Sequence, residues 1–383
     1  MEFVDLAEQQ RRISIQLRSR IDAVLAHGRY IMGPEVGELE ERLAEFAGAR
    51  HCVSCANGTD ALYMALLALG IGPGDAVITT PFTFMATAEV IGLLGATPVF
   101  VDVEPDSYTL DPAALEAVLA DLNSGRAPAP GVPKSLRPRA IIPVDLYGLP
   151  ADYHRINGLA RTHELAVIAD GAQSFGGEQG GARVGTLAPV TSTSFFPAKP
   201  LGCYGDGGAL FTDDADLAEV WRSLRVHGRG DHKYHIVRLG LNSRLDTLQA
   251  AILLAKLDVF EQELQLRQEV ARHYSTLLSD IVHTPRVPAD RVSAWAQYAV
   301  MTPRRDTVQE ALQRRGIPTA VYYPIALHRQ PVLAHLGYAP GSLPVSERLA
   351  DEVLCLPMHP YLSAAERVKV TDALGDAVSE KAT

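Results

Sequence analysis

The sequence predicts an α/β fold with a second, smaller α+β domain, on three observations. Near-continuous apolar runs at 76–79 (AVIT), 98–102 (PVFVD), 140–145 (AIIPVD) and 166–170 (AVIAD) have the composition of strands buried on both faces. Such strands belong to parallel sheets covered by crossover helices. Segments with apolar residues at helical spacing lie between the runs, as a βαβ order requires. A long amphipathic stretch, 244–278, then leads out of this alternation.

Each element has a local reason. Residues 60–69 read as a helix closed by Gly70, a residue at ease in the left-handed conformation that ends helices. Residues 111–122 carry apolar positions at helical spacing. Residues 123–137 (NSGRAPAPGVPKSLR) are dense in Gly, Pro, Ser and charge and predict a surface loop, not a domain boundary, because similar strands flank them. Farther on, 294–301 reads as a strand, 307–315 as a helix, and a last helix begins at Ala364. The expected division is a large domain at 1–257 and a small C-terminal domain at 258–383. The segment before Gly33 is expected to pack on the body or on a partner chain. No internal repeat is present.

At 383 residues and 47% hydrophobic content the chain can build about two domain cores, taking roughly 150 residues per domain. A charged fraction of 21% with aromatics throughout excludes a disordered or fibrous chain. The formal net charge of −10 argues against a nucleic-acid binder, which usually carries a basic excess. The N-terminus, MEFVDLAEQQRR, lacks the apolar core of a signal peptide. The longest apolar stretch, 90–101, is broken by Gly, Thr and Pro and falls short of the ~20 residues that span a bilayer. The expectation is a soluble, cytoplasmic protein with no membrane partner. Cys52 and Cys55 form a lone C-x-x-C. A structural zinc site takes about four ligands and no second pair or H-x-x-x-H accompanies this one, so core cysteines at a strand end and no metal site are expected.

Six features carry possible chemistry, and each alone has a plainer explanation. Lys199 sits among apolar and Pro-fixed neighbours in TSFFPAKPLG (193–202). Desolvation would free its amine as a nucleophile, although a lysine on a loop more often reaches for solvent. Asp170 ends a run of strand character, where α/β folds place ligands, and could pair with a protonated ring nitrogen. It could equally fix a loop, and Asp102 and Asp145 also end strands. ANGTDAL (56–62) follows a short strand and opens a helix. Gly58 lets backbone approach a ligand, while Thr59 and Asp60 are suited to capping. The result is either an anion site or an ordinary capped helix. In PFTFM (81–85) an aromatic could stack on a flat ring or simply pack. GDGG (205–208) reads as a turn into a strand. The stretch 222–244 is rich in Arg, His and Lys in an acidic protein, which suits either an anionic small molecule or a solvated loop.

The order of these features is more specific than any one of them. N-G-T-D-A-L, P-F-T-F, A-D-G-A-Q-S-F-G, S-F-F-P-A-K-P-L-G, G-D-G-G and G-L-N-S-R-L-D-T-L-Q-A-A, in that sequence, resemble the sugar-nucleotide aminotransferases of the fold-type I (aspartate aminotransferase) class of pyridoxal 5'-phosphate (PLP) enzymes. The resemblance covers nearly the whole chain. It implies a mixed, mostly parallel sheet flanked by helices. It also implies that Lys199 is the Schiff-base lysine and proton shuttle, and that Asp170 pairs with the pyridine nitrogen. Gln173 would bond the ring hydroxyl, Phe84 would stack on the ring, and Gly58, Thr59 and Ser194 would hold the phosphate. Asn242 would reach the phosphate of a neighbouring subunit, making the active unit a homodimer with shared sites. Arg244 and His328 would lie near the sugar nucleotide. Within the family, P-F-T-F-x-A-T-A-E and R-L-D-T-L-Q-A-A are most similar to enzymes that aminate C3 of UDP-2-acetamido-2-deoxy-3-oxo-glucuronate with L-glutamate, for bacterial surface polysaccharide. An aminotransferase for a dTDP-3-oxo-deoxysugar of an antibiotic pathway would share most of these motifs. Two other classes use this scaffold. A PLP sugar dehydratase has histidine in place of the lysine, and a non-catalytic regulatory protein need not keep all of these residues. The chain departs from the family's usual E-D-A-A-Q, having Ala169 and Gly171 there.

Overall fold

Three helices precede the sheet in the computed structural model, which describes residues 1–380: α1 (Leu6–Arg12), α2 (Ser14–His27) and α3 (Pro34–Ala47). The chain then alternates through β1 (His51–Cys55), α4 (Gly58–Ala68), β2 (Asp75–Thr79), α5 (Ala86–Leu93), β3 (Thr97–Phe100), α6 (Pro112–Asn123), β4 (Arg137–Ile142), α7 (Tyr153–Thr162) and β5 (Ala166–Asp170). A short hairpin, β6 (Glu178–Gln179) and β7 (Ala182–Arg183), leads to β8 (Val190–Ser194), β9 (Gly208–Thr212) and α8 (Ala215–Leu224). The 32-residue α9 (Thr247–Leu278) follows. The remainder comprises β10 (Arg291–Val292), β11 (Tyr298–Met301), α10 (Arg305–Arg314), α11 (Pro344–Glu352), β12 (Val353–Leu356) and α12 (Ala364–Ser379).

The main sheet has seven strands in the order β1-β9-β8-β5-β4-β2-β3. Only β9 is reversed: it pairs antiparallel with β1 and β8, and the remaining pairs are parallel. The sheet is mixed and mostly parallel, as the resemblance implies. Its apolar runs are continuous because both faces are covered. Val77, Ile142 and Ile168 face a core with α4, α5 and α8. Ile78, Ile141 and Val167 face the opposite core with α6 and α7.

Helix α9 serves two cores. Leu253, Leu254, Leu257 and Phe260 pack with α3 and β9, whereas Val270, Ala271, Tyr274 and Leu278 pack with β11, α10 and α12. Residues 257 and 258, where the sequence reading divides the chain, both lie inside this helix. The N-terminal helices lie on the body: Ile13 and Leu17 pack against Ile252 and Ala255 of α9.

Three local expectations change. The 123–137 segment is not wholly a surface loop. Ala129 and Val132 are buried with Leu333 and Leu336, and Gly131 donates its N–H to the Leu336 carbonyl at 3.0 Å. A Cβ at Gly131 would lie 2.0 Å from the His335 carbonyl oxygen, so glycine is required for this approach. The cap of α4 is Asn57, whose side chain accepts the Asp60 N–H at 2.8 Å, rather than Thr59 or Asp60. The basic stretch is partly internal: Arg225 is buried and bonds Glu40 and the Ser54 carbonyl. The four cysteines are free and buried, and no group of three or more potential metal ligands occurs among the described residues. No described helix is long and apolar enough to cross a membrane.

Candidate active site

Ligands of open α/β sheets collect beyond the carboxyl ends of the strands. Here β1, β2, β5 and β8 end around a cavity of about 380 Å³, within the size range of small-molecule sites. Seven of the ten residues predicted from the sequence line it: Gly58, Thr59, Phe84, Asp170, Gln173, Ser194 and Lys199. Residues up to 141 positions apart in sequence meet there because parallel strands end together.

The start of α4 forms one wall. The Asn57 side chain takes the Asp60 N–H and its carbonyl takes that of Ala61, so the Gly58 and Thr59 N–H groups are left for an outside acceptor. Ser194, last residue of β8, faces this turn so closely that a Cβ on Gly58 would lie 2.7 Å from the Ser194 Cβ. Free N–H groups at a helix N-terminus beside a hydroxyl form a cradle for a small oxyanion.

Asp170 ends β5 at the floor. Its Oδ2 accepts from the Thr87 hydroxyl at 2.8 Å and its Oδ1 from the Ala172 N–H at 3.3 Å. Burial pushes its carboxyl above the ordinary value, while the Thr87 and Ala172 bonds and the Lys199 charge pull it back. Lys199 shows the converse: burial pulls its ammonium below the ordinary value and Asp170 opposes this. A lysine so placed has a larger share of free amine. At Gly171, one of the two departures from the family pattern, a Cβ would lie 2.9 Å from the Ser192 carbonyl oxygen.

Gln173 is fixed through its side-chain oxygen, which accepts the Tyr147 N–H at 2.7 Å; its Nε2 donates to the Tyr323 hydroxyl at 3.3 Å. Phe84 lies on the cavity wall with 58% of its surface exposed, its ring centroid 6.0 Å from that of Tyr323. A flat, unsaturated ring would cover this face.

The other three predicted residues lie outside the cavity. Asn242 and Arg244 are hydrogen-bonded to each other, at the base of an arm at 226–242 whose Tyr234 and Leu239 are 83% and 90% exposed. The His328 side chain is enclosed, with Nε2 2.9 Å from Glu347 Oε1. Burial pulls its imidazolium below the ordinary value, against Glu347.

Sequence reasoning missed Thr87, Tyr147 and Tyr323. Thr87 had a readable signal, since it lies one helical turn after Thr83, and their hydroxyls are 3.2 Å apart. Tyr147 acts through its backbone and Tyr323 arrives from 150 residues beyond Gln173, so neither had a local pattern.

A sequence model described as the DegT/DnrJ/EryC1/StrS aminotransferase family matches residues 12–375. The chain belongs to this family. Among its members, the UDP-2-acetamido-2-deoxy-3-oxo-D-glucuronate aminotransferase of Pseudomonas aeruginosa is 51% identical over 366 residues, 95% of this chain and 97% of that one. A DegT/DnrJ/EryC1/StrS aminotransferase from Brucella abortus superposes with a TM-score of 0.94 at 50% identity, covering 99% of this chain and 100% of the other. NtdA of Bacillus subtilis, solved with bound cofactor PMP, superposes with a TM-score of 0.85 at 27% identity, covering 99% of this chain and 83% of its own.

Proposed function

We propose that this protein is a PLP-dependent aminotransferase that moves the amino group of L-glutamate to the keto carbon of a nucleotide-linked sugar, namely C3 of UDP-2-acetamido-2-deoxy-3-oxo-glucuronate. The observation that carries the reading is the convergence of Lys199, Asp170, Gln173 and the Gly58–Ser194 cradle on one cavity. The residues fit the cofactor. Gly58, Thr59 and Ser194 would hold its phosphate, Phe84 would cover one ring face, Gln173 would meet the ring hydroxyl, and Asp170 the ring nitrogen. When bound, PLP supplies an electron sink that stabilises negative charge at the substrate carbon.

The chain's own residues then have defined tasks. Asp170 keeps a proton on the ring nitrogen, and the Thr87 hydroxyl and Ala172 N–H hold its carboxylate in place. The Lys199 Nζ, whose pKa burial depresses, would accept a proton from the substrate carbon and return it on the far side of the intervening nitrogen, a 1,3-transfer. Phe84, Phe196 and Tyr323 wall the cavity and would shield a bound cofactor on that side.

The residues outside the cavity support a reading of the sugar and the assembly. A UDP-uronate carries a diphosphate and a carboxylate, and the chain is acidic, so local cations must bind it. Arg244 is assigned to the carboxylate, and His328, through the loop it anchors, to the sugar-nucleotide region. Because Asn242 and Arg244 stand at the base of the exposed arm, we assign them to the site of a second subunit in a homodimer, with Asn242 on its cofactor phosphate. We place the enzyme in the cytoplasm, and we take residues 1–257 and 258–383 as its two domains.

Single-turnover assays test the substrate. After L-glutamate loading, the keto-uronate should react at least about tenfold faster than its uncharged hexose analogue, given roughly 1.5–3 kcal/mol for hydrogen bonds to a charged group. Equal rates, or preference for a dTDP-3-oxo-deoxysugar, would refute the uronate assignment.

A further inference from the structure

Asp145 has no task in the mechanism above, yet it is fully buried beside the site. Its main chain continues β4 alongside β5: the Asp145 N–H donates to the Asp170 carbonyl at 3.1 Å, and Val144 bridges to Asp170. Its carboxylate accepts three hydrogen bonds. Oδ1 takes the Ala151 N–H at 2.8 Å and the Tyr153 hydroxyl at 2.7 Å, and Oδ2 takes the Ser174 hydroxyl at 2.7 Å.

These bonds close a ring around Gln173. Ser174, its chain neighbour, is held by the Asp145 carboxylate. The Gln173 side-chain oxygen is held by the Tyr147 N–H, two residues after Asp145. The Ser174 N–H returns to the Gly171 carbonyl at 3.1 Å, so the turn from Asp170 to Ser174 is tied at both ends. We propose that Asp145 is a positioning residue for the reaction, which through Ser174 sets how Asp170 and Gln173 present themselves to the cofactor. The inference rests on the PLP reading of the cavity.

The placement is costly for a residue that serves stability alone. A buried carboxylate is disfavoured even when hydrogen-bonded. Here burial outweighs the three donors, and the Asp170 carboxylate nearby adds to the effect, so the Asp145 carboxyl is pushed up to about 7. The charged or titratable groups around it are Asp170 on β5 and Tyr153 on α7. Beyond Tyr153, Arg291 of β10 pairs with Asp152 at 3.5 Å and acts on the Tyr153 hydroxyl. An asparagine could keep an acceptor for Ser174 without the charge. Above about pH 7, where the carboxyl is ionised, its charge adds a second effect, a negative potential behind Asp170 that favours protonated forms of groups in the cavity.

The two oxygens of Asp145 separate positioning from structural support. Ser174 lies on the ring around Gln173, whereas Tyr153 lies on α7 behind it. Holoenzymes of the wild type, Ser174→Ala, Tyr153→Phe and Asp145→Asn should be compared at pH 8.5 for kcat, KM and melting temperature, and by pH titration for the midpoint of the cofactor's visible band. Ser174→Ala should lose about tenfold in kcat with KM for glutamate within about twofold, a misalignment effect. Tyr153→Phe should stay within about threefold in kcat while losing comparable melting temperature. Asp145→Asn should move the visible-band midpoint down by about half a unit, because a negative charge behind the site is gone. Wild-type kcat in Ser174→Ala, equal kcat losses in Ser174→Ala and Tyr153→Phe, or an unmoved midpoint in a folded Asp145→Asn would each overturn the proposal. If Asp145→Asn does not fold, the Ser174 and Tyr153 pair decides it. A wild-type protein that gives no visible band with PLP would instead sink the functional reading on which the inference rests.

Discussion

Replacing Gly58 with alanine isolates the phosphate cradle. Gly58 opens α4, and at a helical position alanine is better than glycine by up to about 1 kcal/mol. Against that, the new Cβ would sit 2.7 Å from the Ser194 Cβ and 3.3 Å from its Cα, where ordinary contacts are 3.4–4 Å. Neither Ser194 atom can rotate away, because both are anchored to β8. Overpacking of this kind costs about 1–3 kcal/mol, so set against the propensity gain it should lower stability by up to roughly 2 kcal/mol. Relief requires α4 and β8 to part, which spoils the cradle. Losing one charge-assisted hydrogen bond, about 1.5–3 kcal/mol, weakens phosphate binding roughly 10- to 150-fold. Titration of cofactor-free protein with PLP measures this, and pyridoxal, which lacks the phosphate, is the control. Gly58→Ala should lose affinity for PLP and little for pyridoxal. Unchanged PLP affinity, or an equal loss for both compounds, would refute the assignment of the α4 turn.

Two further outcomes are expected. Mixing inactive Lys199→Ala and Asn242→Ala subunits should restore some activity, because one site of a mixed dimer then has both its own lysine and the partner's asparagine; no recovery despite demonstrated subunit exchange would contradict shared sites. Lys199 also couples stability to pH. Its pKa is lower in the folded than in the unfolded chain, so the cost of burying it is present at neutral pH and fades as pH rises toward the unfolded value of about 10.4. Cofactor-free Lys199→Met should therefore be more stable than wild type at pH 7 by denaturant titration, with the gap closing by about pH 10; a pH-independent gap would count against the depressed amine.

The sheet was legible because burial on both faces leaves a mark in the chain itself. The runs at 76–79 and 166–170 match β2 and β5 nearly residue for residue. Strand β8 (VTSTS) lacks such a run; β9 (GALFT) is readable as the strand after the GDGG turn, but its reversed direction is set by pairing with β1 and β8, which no local pattern encodes. The 123–137 segment misled through composition: Gly and Pro describe its turns, but the burial of Ala129 and Val132 depends on a segment 200 residues away. Residues of the candidate site on strand ends and the α4 turn were readable because chemistry and local geometry coincide there. Asp102 shows the limit of that rule. It follows a strand as Asp170 ends one, but its carboxylate accepts the Val345 and Ser346 N–H groups at 2.9 Å, tying the sheet to the start of α11. A strand-end aspartate caps a helix or faces a ligand according to what the distant chain brings to it.

The most direct test of the account is to reduce the PLP-loaded protein with borohydride and map the modified peptide by mass spectrometry. The account predicts a yellow protein whose visible band changes with L-glutamate, and a pyridoxyl group on Lys199 within TSFFPAKPLG. A pyridoxyl group on another lysine, or none at all, would contradict it.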